Sequence, residues 1–316
     1  MTKKNPTNPI LARIRKAATD EAAAYAFLEA QRWGDSPACP LCGATNVYQM
    51  RDRKTGEREK NYRWRCRDCG KMYSVRTGTV MEESRIRLNV WVHAFWSACA
   101  SKKGISAHQI ARECEITPKS ALFVMHRIRL AMVDDPSGQP LLGGVIEADE
   151  TYVGGKPRYK TNRREAAQLR RDNKQIVFAM LERNGRVRAS HVKRIHAGNL
   201  RRALQENVEK SARVMTDEAK YYQRLGEHFA HEMVNHRRRE YVRGDVFTNS
   251  IESFFGLFKR AIYGTHHSVT PHHLHRYVSE AEFRWNHRET DDAARTLAAL
   301  RGAEGKRLLY REPLAG

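Results

Sequence analysis

The chain has 316 residues, room for two or three compact units, and its 57 Lys and Arg against 36 Asp and Glu give a formal charge of +21. An excess of that size points to a polyanionic partner, with nucleic acid ahead of a membrane surface. Mean hydropathy is −0.71, no run of 18 apolar residues exists and the opening MTKKNPTNPILARIRK has no apolar stretch; these argue against a membrane-spanning or secreted chain and for a cytoplasmic, nucleoid-associated one.

Residues 8–31 carry Ile10, Leu11, Ile14, Ala18, Ala22, Tyr25 and Phe27 at helical spacing and predict a leading helix within a segment 1–35. Two CxxC pairs follow, Cys39/Cys42 in CPLCG and Cys66/Cys69 in CRDCG, separated by 23 residues between Cys42 and Cys66. Four thiolates at that spacing suit one tetrahedral zinc ion in a zinc ribbon over 36–77, a closed structural site with no position left for substrate. The glycine after each second cysteine is expected to let backbone amides approach sulfur without a Cβ clash. Arg51, Arg53, Lys54, Arg58, Lys60, Arg63, Arg65 and Arg67 fill the connecting segment, either as a solvated face or as phosphate contacts. Cys99 and Cys114 stand singly and read as small core residues.

Residues 84–135 turn helical. Ser106 is a natural N-cap for one helix, and Thr117 with Pro118 starts a second over 118–133. Two short helices on a tight turn suggest a helix-turn-helix that reads DNA with Lys119, His126, Arg127 and Arg129; an ordinary helical hairpin is the plainer alternative.

The run Asp134-Asp135-Pro136-Ser137-Gly138-Gln139-Pro140 breaks the pattern. Beyond it, over 144–290, strands are expected at 145–153, 175–181 and 187–192, the last two joined by an Asn184-Gly185 hairpin turn. A helix at 197–210, a strand at 212–215, a helix at 218–226, a strand at 231–235 and helices at 249–263 and 271–288 complete the order, with 291–316 left as a tail. An early hairpin followed by alternating helix and strand predicts an α/β, RNase H-like mixed sheet behind the zinc ribbon and helical region.

Three acids fall at telling places. Asp149 lies in an apolar strand, where a lone carboxylate is costly without compensation. Asp217 follows a predicted strand end, and Glu252 sits in the first turn of a helix whose Ile251, Phe254, Phe255, Phe258 and Ile262 form a docking stripe. Asn249, Glu252, Gly256 and Lys259 line an adjoining face suited to metal and DNA backbone. Three such carboxylates can hold two Mg²⁺ (Mn²⁺ as a substitute), the clamp used for in-line phosphoryl transfer. Glu147, Glu150 and Glu218 are close decoys, supporting or solvated. Arg237, Arg238, Arg239, Lys259 and Arg260 add candidate DNA contacts, and His266, His267, His272, His273 and His275 read as DNA contact or helix surface.

CPLCG, CRDCG, SVRTGTVME, KKGISAHQIAREC, EADETYVGGK, MTDEAKYY and TNSIESFFGLFKR together resemble the ISXO-like insertion-sequence transposases, bacterial DDE enzymes with an N-terminal zinc ribbon, over residues from about 25 to 290. By position, the family's two aspartates correspond to Asp149 and Asp217. Its third catalytic position falls in TNSIES, where Glu252 and Asn249 are both candidates; the 34 residues between Asp217 and Glu252 resemble DDE spacing and favour Glu252. The resemblance implies recognition of terminal inverted repeats in double-stranded DNA by a homo-oligomer. With metal bound, water would cleave the strand to leave a 3′-OH, which would then attack target DNA. A transposase-derived regulator without catalysis and a metal-dependent nuclease on the same fold are the rival readings.

Overall fold

A computed structural model describes residues 8–134, 138–154, 174–234 and 242–309. The chain divides into two compact units, one of residues up to Asp134 together with those from Thr290, the other spanning Asp135–Glu289.

The first unit opens with two helices rather than the one expected, α1 (Pro9–Thr19) and α2 (Glu21–Trp33). Asp20 makes the break. Its backbone is extended, and its carboxylate accepts from Ala23 N at 2.6 Å, so it starts a second helix instead of continuing the first. A three-stranded antiparallel sheet follows in the order β1 (Val47–Gln49), β2 (Trp64–Cys66), β3 (Met72–Tyr73). Trp64 and Tyr73 pack edge-on against Trp33 of α2, and Trp64 donates its indole N–H to the buried Glu29 at 2.8 Å. Arg58 also pairs with Glu29, so one of the expected phosphate-facing arginines instead ties the ribbon to α2.

Helices α3 (Leu88–Ala100), α4 (Ala107–Glu113) and α5 (Pro118–Ala131) complete this unit's helical part. Ser106 accepts from Gln109 N and Thr117 from Ser120 N, the caps expected from sequence, and Glu115 takes the left-handed turn between them at φ 54°. Residues expected in a tail form α9 (Asp292–Arg301), capped by Asp291; the chain just beyond it bonds back to Gly78 and Val80.

The second unit is built on a five-stranded mixed sheet in the order β6-β5-β4-β7-β8, formed by β4 (Val145–Val153), β5 (Gln175–Glu182), β6 (Val187–Val192), β7 (Arg213–Thr216) and β8 (Ala230–Met233). β4, β5 and β6 are antiparallel, with Asn184 at φ 62° in the predicted hairpin turn. β7 runs parallel to β4, and β8 parallel to β7.

Side-chain alternation along the strands makes two cores. Ile146, Ala148, Phe178 and Met180 pack with Leu200 and Leu204 of α6 (Ala197–Asn207). On the other face Val153, Val177, Ala179 and Leu181 pack with α7 (Asn249–Ala261) and α8 (Leu274–Asn286). The helix expected at 218–226 is instead a pair of short 3₁₀ turns, Lys220–Tyr222 and Leu225–Glu227.

Candidate active site and zinc ribbon

In the ribbon the two knuckles are built alike. Cys39 N–H donates to Ala44 O and Cys66 N–H to Lys71 O, while Gly43 and Gly70 close each turn onto the first cysteine's carbonyl at 2.8 and 3.1 Å. Both glycines have positive φ, 78° and 70°, and a Cβ on either would meet nothing within 4 Å. They are therefore needed for their backbone conformation, not for the close sulfur approach expected from sequence. The Sγ atoms of Cys39 and Cys69 lie 3.8 Å apart and those of Cys42 and Cys66 3.7 Å apart. Four sulfurs at about 2.3 Å from a central zinc would sit about 3.8 Å from one another. Among the described residues this is the group of potential ligands whose atoms all fall within 4.8 Å of each other. Cys39 and Cys66 are buried, so the site also closes the small core formed with Trp64 and Tyr73.

In the second unit Asp149 stands mid-way along β4, opposite Ala179 of β5. Asp217 follows β7, the parallel neighbour of β4, and its carboxylate accepts from Ala219 N at 3.0 Å. Glu252 is exposed in the first turn of α7, 3.5 Å from the Thr248 hydroxyl that donates to it. These carboxylates do not close up as the thiolates do, but their charges reach one another. Burial pushes the Asp149 carboxyl up to about 8, and Glu150, Asp217 and Glu252 push it the same way. Anions so placed repel one another, and carboxylate oxygen is the donor type that hard cations take.

Alternation sends Glu150 to the opposite side of β4, where Tyr221 and Tyr222 both donate to it, Tyr222 at 3.0 Å. Burial, then the adjacent Glu150, keeps both phenols protonated as donors. The 3₁₀ turn that follows Asp217 is thereby fastened to the residue beside Asp149. Glu147 is fully buried, not solvated. It receives Arg183 at 3.1 Å and the backbone N–H groups of Ser250 and Ile251, each at 2.9 Å. Neither fixture was read from the sequence as more than support; the one available signal was the acid-rich alternation in EADE.

The remaining candidates separate by exposure. Asn249 and Arg260 are exposed, and Lys259 is half-buried on α7. Lys119 is exposed at the start of α5. Arg127 and Arg129 are not available as DNA readers, at 6% and 1% exposed. Arg127 points inward because three backbone carbonyls need donors: it serves Val80 O and Glu82 O at 2.8 Å and Leu308 O at 3.1 Å. His126 is buried as well. Arg237, Arg238 and Arg239 lie outside the described residues.

Residues 141–286 match the ISXO2-like transposase domain, and residues 19–72 match the transposase zinc-ribbon domain. The domain over residues 141–286 belongs to the ISXO2-like transposase family. An uncharacterized protein in the transposable element ISH50 of Halobacterium salinarum is 28% identical over 281 residues, 85% of this chain and 92% of that relative. The zinc-ribbon match takes in α2 as well as the knuckles, in keeping with Glu29 and Trp33 of α2 packing on the ribbon. The four-thiolate cluster of this transposase is thus a zinc-ribbon metal site. No helix among the described residues is long and apolar enough to cross a membrane.

Proposed function

We propose that the chain cuts DNA at the terminal inverted repeats of an insertion sequence and joins the freed ends to target DNA, using Asp149, Asp217 and Glu252 as the ligand set for divalent cations. One observation carries this reading. Two carboxylates from other elements of the same unit, Asp217 after β7 and Glu252 on α7, bring their charge to bear on the buried Asp149 of β4, in a domain of the transposase family. The strand order, three antiparallel strands followed by two parallel ones, supports an RNase H-like assignment for that sheet.

With two Mg²⁺ held there, the cations would supply charge stabilisation for the attacking and leaving oxygens of an in-line displacement. In the first displacement a water oxygen attacks phosphorus and the P–O3′ bond breaks, leaving a 3′-OH and a 5′-phosphate. In the second that 3′ oxygen attacks a target phosphate, whose own P–O3′ bond breaks. Each is a substitution at phosphorus, so no side-chain nucleophile is needed. The protein's part is to hold the carboxylates and the DNA. Glu150 with Tyr221 and Tyr222 fixes the turn after Asp217, while Lys259 and Arg260 extend from α7 towards phosphates. We assign DNA contact also to the exposed Arg51, Arg53, Lys54, Lys60, Arg65 and Arg67 of the ribbon. We read α4 and α5 as a helix-turn-helix that contacts DNA through Lys119, and assembly on DNA as homo-oligomeric.

The test is to incubate the protein with DNA carrying the ends of its element, intact target DNA and Mg²⁺, and to map the products. Cut and joined strands lost in Asp149→Asn support the reading. Cutting without joining indicates a nuclease, and binding alone a regulator.

A further inference from the structure

The helix that carries Glu252 is not capped by its own N-cap residue. Thr248, at the N-cap position, accepts no backbone N–H of the first turn; its hydroxyl donates to the Glu252 side chain instead. The free N–H groups at a helix start need acceptors, and a buried start without them is costly. Here they find the Glu147 carboxylate, which reaches across from β4 and takes Ser250 N and Ile251 N on one oxygen. Its other oxygen takes Arg183 Nε at 3.1 Å. A fully buried charge survives because it has both a counter-ion and charge-assisted bonds at the positive end of a helix.

Arg183 extends the same fastening. It donates to Asp245 O at 2.9 Å and Phe247 O at 3.0 Å, and its guanidinium lies 3.7 Å from the Phe247 ring centre. The segment entering α7 and the first turn of α7 are thus both held from the sheet. Glu147 lies two residues before Asp149, on the same side of the same strand. Glu252 follows Ser250 and Ile251 within the same first turn of α7.

Resting on the catalytic reading above, we infer that Glu147, held by Arg183, is a positioning residue: it caps the helix bearing Glu252 from the strand bearing Asp149 and so sets the separation of those two carboxylates. A cap serving stability alone is supplied by a Ser, Asp or Asn at the N-cap itself. A cap drawn from the metal-binding strand also fixes register, and register matters at this site. Misplacement by 1 Å can cost about a hundredfold in rate.

The experiment compares the full-length wild type with Glu147→Gln, Arg183→Lys, Asp149→Asn and Glu252→Gln. Binding of Mn²⁺ alone is measured by calorimetry, and the Mg²⁺ dependence of end cleavage is measured separately. In Glu147→Gln the amide nitrogen must face either Arg183 or the N–H groups of Ser250 and Ile251, donor to donor. Mn²⁺ affinity is expected to fall by about tenfold or more, with zinc content and DNA binding retained. The Mg²⁺ needed for half-maximal cleavage rises by a similar factor, and saturating Mn²⁺ restores most of the rate. Arg183→Lys keeps both charges but loses the fork to Asp245 and Phe247; it is expected to shift Mn²⁺ affinity in the same direction and decides the matter if Glu147→Gln fails to fold. Mn²⁺ affinity within twofold of wild type in whichever of these variants folds overturns the inference while leaving the catalytic reading standing. Mn²⁺ binding that survives both Asp149→Asn and Glu252→Gln overturns the catalytic reading and the inference with it.

Discussion

Glu252 and Asn249 stand one helical turn apart at the start of α7, and only Glu252 brings a charge to Asp149. Hard cations prefer carboxylate oxygen to a neutral amide. Glu252→Gln is therefore expected to abolish cleavage and joining while leaving DNA binding intact, and Asn249→Ala to weaken activity less. Cleavage of end-labelled element DNA by each variant, in Mg²⁺ and in Mn²⁺, makes the comparison; the reverse ranking would make Asn249 the third ligand. Asp149 gives a second expectation at this scale. Burial and three neighbouring acids lift its carboxyl from 3.8 to about 8 in the metal-free fold. Between those values the folded chain holds a proton that the unfolded chain has lost, so this group's contribution to stability falls as pH rises through that window. A cation bound to the carboxylate must displace the proton. Mn²⁺ binding is thus expected to strengthen from pH 6 to 8 and level off above, releasing protons near pH 7. Calorimetry in buffers of different ionisation enthalpy detects that release, and an enthalpy independent of buffer contradicts it.

At the scale of elements, charge in a sequence proves a poor guide to where an arginine points. Arg127 and Arg129 lie on α5, the helix expected to read DNA, yet both are buried, and Arg127 spends its donors on three carbonyls. Arg127→Met is accordingly expected to lower stability by on the order of 3 kcal/mol, since it strands buried acceptors. Lys119→Ala is expected to spare stability and weaken DNA binding. Thermal unfolding and binding titrations on both variants separate the two effects. What local pattern encodes was legible: the CxxC spacing, the Asn184-Gly185 turn, the Ser106 and Thr117 caps, and the apolar stripe of α7. Those features depend on residues a few positions apart. The cap on α7 joins Glu147 to residues 250 and 251, and the donor to Leu308 O comes from Arg127. No periodicity records such distant pairs. Asp20 is an intermediate case, because its capping chemistry was visible but a long apolar pattern ran through it. The glycines after Cys42 and Cys69 were also visible, and their φ values supply the reason that sequence left open.

For the whole molecule, the dominant electrostatic fact is the charge of +21. Part of that charge is committed internally: Arg58 to Glu29, Arg183 to Glu147, Arg213 to Glu232 and Asp245. Pairing an arginine with an acid already in the count leaves the net excess untouched, so the surplus cations stay available to a polyanion. Each phosphate neutralised releases condensed counterions, and log K falls by about 0.9 per contact for each tenfold rise in salt. Five contacts would give a slope of about −4.5, and that or a steeper dependence is expected here. Without metal the Asp149 carboxyl holds its proton at neutral pH, so Asp149→Asn should bind DNA about as tightly as wild type without Mg²⁺, with the slope unchanged. Binding isotherms at four or five salt concentrations, with and without the substitution, measure both quantities. An affinity flat across the range would assign recognition to something other than phosphate contact, and a slope lost with Asp149→Asn would place the catalytic carboxylate in binding rather than in chemistry.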